Sequence, residues 1–83
     1  MNIKLLALTN NLILVSQIEE VGADIGEPDC KLINPFVVNS DQTLEPFLHV
    51  YTNENIFMMN SDKILTITNP KPTLLEKYEN LIK

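Results

Sequence analysis

The side chains able to do chemistry in this chain are few and scattered. Cys30 is its one thiol and His49 its one imidazole. A nucleophilic cysteine needs an activating base beside it, and nothing in the neighbouring sequence supplies one. Inert thiols are the commoner case. His49 stands between Leu48 and Val50 in a run that reads as a strand, where an imidazole ordinarily faces solvent or a partner. No His, Cys or carboxylate accompanies it at a metal-ligand spacing. Glu19, Glu20, Asp24, Glu27 and Asp29 gather around a glycine-containing stretch, and repeated around a ring they could collect a divalent cation. Their spacing fits no EF-hand loop, so a solvated acidic loop is expected. The residues therefore predict no catalytic group, no metal and no cofactor.

Composition narrows the partners. Six basic residues, all lysines, face eleven acidic ones, for a formal net charge of −5. With no arginine there is no guanidinium fork to grip phosphate or guanine, and no basic footprint for nucleic acid. Eighty-three residues, 45% of them apolar and 20% charged, suit one globular domain with a thin core, which a subunit contact would help to stabilise. A lone cysteine allows no internal disulfide and suits a reducing compartment. The apolar start, Ile3 to Leu8, is interrupted by Thr9-Asn10-Asn11, no small-residue cleavage site follows, and no run reaches membrane-spanning length. A cytoplasmic location is expected, with no membrane contact.

The elements that must carry these groups are mostly strands. Residues 3–8 and 12–21 read as a hairpin, with Asn in the turn supplying left-handed backbone. Residues 22–29 form an acidic loop. Lys31 to Val38 is an apolar strand in which Pro35 marks an edge, a bulge or a bend. Residues 47–59 read as one long bent strand with a polar middle, Thr52-Asn53-Glu54-Asn55. Asn60-Ser61-Asp62 turns into a last strand, 63–68. The tail changes period: Leu74, Leu75, Tyr78, Leu81 and Ile82 recur at helical spacing, Thr73 and Glu76 make a capping box, and Lys83 sits where the helix dipole favours a cation. Residues 1–69 thus form a β domain. Residues 70–83 form a proline-led helix packed on that domain or on a neighbour. Five strands in this order suggest a sheet curled into a partly open barrel.

This plan resembles the Sm/LSm-like family. The stretch Ile56-Phe57-Met58-Met59-Asn60-Ser61-Asp62-Lys63-Ile64-Leu65-Thr66-Ile67 is similar to its second motif, with Met59-Asn60 in place of Arg-Gly. Asp29 followed by Lys31-Leu32-Ile33-Asn34 echoes the first, with the spacing off by one. The likeness covers roughly residues 3–68, and the style of the chain is also similar to small Sm-like proteins of marine bacteriophages. The family's helix precedes its first strand, whereas here it follows the last.

The resemblance implies a mainly β, strongly bent five-stranded, partly open Sm-like barrel with a short C-terminal α-helix. It also implies a homo-oligomeric ring, in which the fourth strand of one copy pairs with the fifth strand of the next. Ile56, Phe57, Met58, Ile64, Leu65 and Ile67 would then form the interface. Asn34, Met59, Asn60, Lys31 and Lys63 would lie toward the pore or toward RNA. The family's RNA site is nevertheless depleted here. Leu32 or Ile33 replaces a stacking ring, Met59 replaces the guanidinium, and Asn34 has the ordinary alternative of satisfying turn backbone. A non-enzymatic structural or protein-binding ring is the expectation, with RNA binding through a non-standard surface as the alternative.

Overall fold

The structure, a computed structural model, describes residues 2–83. Strands β1 (Ile3–Leu8) and β2 (Ile13–Glu20) form an antiparallel hairpin. Its turn works as the asparagines suggest. Asn11 is left-handed at φ 68°, the Leu8 N–H donates to the Leu12 carbonyl at 2.9 Å, and Asn10 Oδ1 accepts from the Leu12 N–H at 3.2 Å. β3 (Cys30–Val38) returns along β2, and β4 (Leu44–Pro46) and β5 (Ile56–Met59) both pair with β3. β6 (Ile64–Thr68) returns to the free side of β1, and helix α1 (Pro72–Ile82) closes the chain. The result is one antiparallel sheet of order β4–β3–β2–β1–β6, with β5 following β4 along the outer side of β3.

The protein is mainly β, with six strands where five were expected. The long strand over residues 47–59 does not exist. Only Ile56–Met59 is extended, a short β4 precedes the predicted start, and residues 48–51 form a turn. Leu48 adopts φ 59°, and its carbonyl accepts from the N–H groups of Tyr51 at 3.0 Å and Thr52 at 3.1 Å. The apolar run Phe47–Tyr51 suggested a strand, but only Phe47 of that run joins the core. His49 accordingly lies in this turn and not in a strand.

The sheet has two covered faces. On one, Leu6, Leu8, Leu14, Ile18, Cys30 and Leu32 are buried together, with Phe47, Phe57, Met59 and Ile64 packed against them. Each fully buried leucine stabilises the fold by roughly 1.5–3 kcal/mol. On the other, Val15 and Phe36 face each other across β2 and β3. The Tyr78 ring meets Phe36 there edge-to-face, with centroids 5.7 Å apart. Neighbouring side chains of a strand point to opposite faces, so α1 lies on the face away from the leucine cluster and packs on its own chain.

Pro35 marks a β-bulge. Val15 pairs with Phe36 and Gln17 with Ile33, so Ser16 alone opposes Asn34 and Pro35. Such a bulge adds twist to the strand and frees backbone groups. The helix starts differently from its predicted cap. Pro72 is its first residue and Lys71 the N-cap, with no side-chain cap, so Thr73 lies inside the first turn and the capping box does not form. Proline at this position needs no N–H partner and comes with a helical φ. Leu81 falls outside the buried stripe, at 52% exposure.

The sheet does not close. β5 pairs only with β3 and β6 only with β1, although a single 3₁₀ turn, Ser61–Lys63, joins them. Both present an unpaired edge.

Candidate functional site

These two edges are the feature of the molecule most in need of a partner. β5 (Ile-Phe-Met-Met) and β6 (Ile-Leu-Thr-Ile-Thr) contain no charge and no proline. Exposed edges normally carry lysine, proline or extreme shortness as protection against pairing with other chains. β4 is protected in that way, being three residues long and ending in Pro46. On β5, Phe57 and Met59 turn inward to the core, while Ile56 and Met58 stay about half exposed. On β6, Ile64 packs inward, while Leu65 and Ile67 are exposed. A register shift between Ala7 and Leu8 leaves Leu65 as the extra residue of β6.

A polar clamp fixes the turn between the edges. Asp29 accepts from the Ser61 N–H at 2.8 Å and from the Ser61 hydroxyl at 2.7 Å. These two bonds hold the Asp29 carboxyl below its ordinary value of 3.8. The Thr9 N–H donates to the Lys63 carbonyl at 3.0 Å, so the first hairpin grips the other end of the same turn. Behind the clamp opens a hollow of about 390 Å³. Ile18, Val21, Cys30 and Ile67 give it an apolar wall, and Lys4, Glu20 and Asp29 add charge. It lies on the leucine-cluster side of the sheet, where β5 and β6 fail to meet.

The residues assigned to a pore do not converge. Met59 and Asn60 lie beside the clamp at the Cys30 end of β3, and Lys63 ends the same turn. Asn34 lies at the bulge, beyond the Ile33–Ile56 pair, about 13 Å along the strand from Met59. Its φ of 53° is left-handed. Its side-chain carbonyl accepts from the Asn55 amide at 2.9 Å, and its N–H donates to the Asn55 carbonyl at 2.7 Å. Asn34 thus uses its amide to fasten the segment leading into β5. Lys31 sits between Glu19 and Met58 on the face opposite the leucine cluster. Met59 faces the core, so of the pore set Lys63 is the exposed cation.

Cys30 is buried, and burial, with the charges of Asp29 and Glu20, pushes its thiol above the ordinary value. His49 Nε2 lies 3.4 Å from Glu45 Oε2 in the β4–β5 turn, and the two residues Cys30 and His49 line different hollows. Among the described residues no three His, Cys, Asp or Glu side chains converge as a metal site would require. No helix among them is long and apolar enough to cross a membrane.

Sequence reading missed one position. The Tyr78 hydroxyl accepts from the Gln17 N–H at 3.2 Å and donates to the Asn34 carbonyl at 2.9 Å, with the Ile33 carbonyl at 3.2 Å. Ser16, fully buried, places its hydroxyl within 2.8 Å of the Gln17 carbonyl and 3.1 Å of the Ile33 carbonyl. Together they satisfy the backbone groups that the bulge frees. The available signal was a tyrosine in an otherwise aliphatic stripe, since a buried phenol needs polar partners.

No curated protein matches this chain. A family model matches all of residues 1–83, and by that match the chain belongs to DUF6561, a family of unknown function.

Proposed function

We propose that the protein is a non-enzymatic assembly module of the Sm-like kind, whose copies join the β5 edge of one to the β6 edge of the next in a closed homo-oligomeric ring. The observation that carries this reading is the pair of uncharged, unprotected edges at opposite ends of one curved sheet, joined by a single clamped turn. Two different edges on each copy make a head-to-tail contact, and such contacts form rings when the rotation closes. The strand order also supports the Sm-like reading, if β4 and β5 are taken as one interrupted fourth strand and β6 as the fifth. Covering the exposed parts of Ile56 and Met58 on one side of a seam and Leu65 and Ile67 on the other would contribute on the order of 1 kcal/mol each. The ladder would also satisfy edge N–H and C=O groups. A role in binding other proteins or in structure follows from the ring; catalysis has no support in the Cys30 and His49 environments. RNA contact through Lys31 and Lys63 is the weaker reading, because Asn34 is engaged elsewhere and the net charge is negative.

Light scattering at micromolar concentration tests the assembly. A mass several times that of one chain is expected for the wild type, and a smaller species for Ile56→Lys with Met58→Lys. A wild type whose mass is that of one chain at every concentration removes the ring.

A further inference from the structure

The polar run Thr52-Asn53-Glu54-Asn55 has no part in the proposed assembly, and the fold gives it a setting of its own. β4 pairs with Phe36–Val38 and β5 with Cys30–Ile33, so Asn34 and Pro35 of the bulge face a break in the ladder. At that break lies a hollow of about 300 Å³. All four residues of the run line it, together with Asn34, and Phe47 and Phe57 give it an apolar wall. A solvated loop has no need to gather successive polar residues around one hollow. The frame is fixed at both ends: the Asn34 N–H donates to the Asn55 carbonyl at 2.7 Å and the Phe47 N–H to the Pro35 carbonyl at 2.9 Å. Asn34 at φ 53° and Leu48 at φ 59°, beside the wall, are both left-handed. Leucine takes that conformation at a cost, and strain of this kind gathers at binding sites.

The lining selects the ligand. Asn55 Nδ2 donates to Asn34 Oδ1 at 2.9 Å, a bond that uses neither Asn34 Nδ2 nor Asn55 Oδ1. The pair therefore offers a donor and an acceptor, and the Asn53 amide brings another of each. Hydroxyls, which both give and accept, answer such a set. An anionic ligand would meet the Glu54 carboxylate and no lysine, while His49 is turned to Glu45 at 3.4 Å. Phe47 and Phe57 meet edge-to-face with centroids 5.4 Å apart, and both pack on the core. They make a wall that a C–H surface can cover and not the open platform on which a nucleobase stacks. Small-molecule sites run from roughly 300 Å³ upward, so the hollow suits a single ring.

We infer that this hollow binds one ring of a neutral sugar, its hydroxyls on Asn34, Asn53, Asn55 and Glu54 and its C–H face against Phe47 and Phe57. The site lies within one chain and stands whether or not the β5–β6 seam forms.

Titration of the wild type with glucose, galactose, mannose and N-acetylglucosamine, followed by proton–nitrogen correlation spectra, tests it. At least one of the four should shift the side-chain amide signals of Asn34, Asn53 and Asn55 with a millimolar Kd and leave those of Asn10 and Asn80 in place. Asn53→Ala, an exposed substitution that spares the Asn34–Asn55 bond, should raise that Kd about fivefold or more. The phosphate ester of whichever sugar binds should bind about tenfold or more weakly, and Glu54→Lys should narrow that gap. Circular dichroism confirms that both variants stay folded. Four silent sugars, an Asn53→Ala chain that binds as the wild type does, a phosphate ester that binds as tightly as its sugar, or a gap that Glu54→Lys leaves unchanged overturns the inference. Adenosine shifting the same amides while all four sugars are silent overturns it in favour of a nucleobase. Light scattering on the same samples reports the ring separately, so a monomer that binds sugar removes only the seam.

Discussion

The hydroxyl of Tyr78 bridges the helix to the backbone of β2 and β3, and nothing else in α1 is fully buried. Tyr78→Phe would keep the ring against Phe36 but leave the Gln17 N–H and the Asn34 carbonyl without that partner, a loss of about 1–3 kcal/mol. Urea unfolding measures it, and an unchanged midpoint would show that the bonds contribute nothing. Burial raises the phenol above its ordinary value of 10.0. The neutral form is the one the fold prefers, so its contribution is complete below that value and is lost as pH climbs through the higher folded one. The alkaline fall in Tm should therefore be shallower for Tyr78→Phe than for the wild type. Cys30 gives a second prediction at this scale. Its thiol is buried and kept protonated, so a thiol reagent should label it only as fast as the protein opens. Immediate labelling in the native state would contradict its placement in the core.

Among the elements, the turn between β5 and β6 is the one on which the proposed assembly depends, and Asp29 holds it. Its carboxyl is depressed by the Ser61 hydroxyl and N–H, so its contribution is present above the ordinary 3.8 and lost as pH falls through the lower folded value. In that acid window the unfolded chain binds more protons than the folded one. Asp29→Asn should lower Tm at neutral pH and flatten the fall of Tm below pH 3.8. Parallel slopes for the variant and the wild type would remove the clamp from the account. The hairpin turn and an irregularity at Pro35 were legible because asparagine and proline act through their own backbone preferences, which need no tertiary context; that the irregularity is a bulge, and not an edge or a bend, came from the register of β2 on β3. The β4–β5 segment was not. Phe47 to Tyr51 has the composition of a strand, but Leu48 is left-handed there and the side chains after Phe47 face outward. Composition measures apolar content and not the direction in which the chain leaves Pro46.

At the scale of the whole molecule, the proposed self-association has a definite expected response to salt. The proposed β5–β6 seam is built from uncharged strands, so high salt should leave its assembly intact. Light scattering of the wild type at low and high salt checks this. A seam that dissolves in salt would not be the apolar ladder described. The scatter of Asn34, Met59 and Lys31 also belongs to this scale. Residues near in sequence to two motifs need not meet, because β3 carries Asn34 away from the β5–β6 turn while Met59 pairs back with Cys30.

By itself the sequence determined a mainly β chain with a proline-led C-terminal helix, its first hairpin and a break in regular pairing, whether edge, bulge or bend, at Pro35. These follow from side-chain periodicity and from the local conformations of Asn and Pro. Only the tertiary structure decided that the fourth strand is broken, that Asn34 serves Asn55, that Tyr78 seats the helix on the bulge, and that β5 and β6 never meet within the chain. Each of those outcomes depends on which surfaces come together once the sheet curves, and no local pattern of residues carries that information.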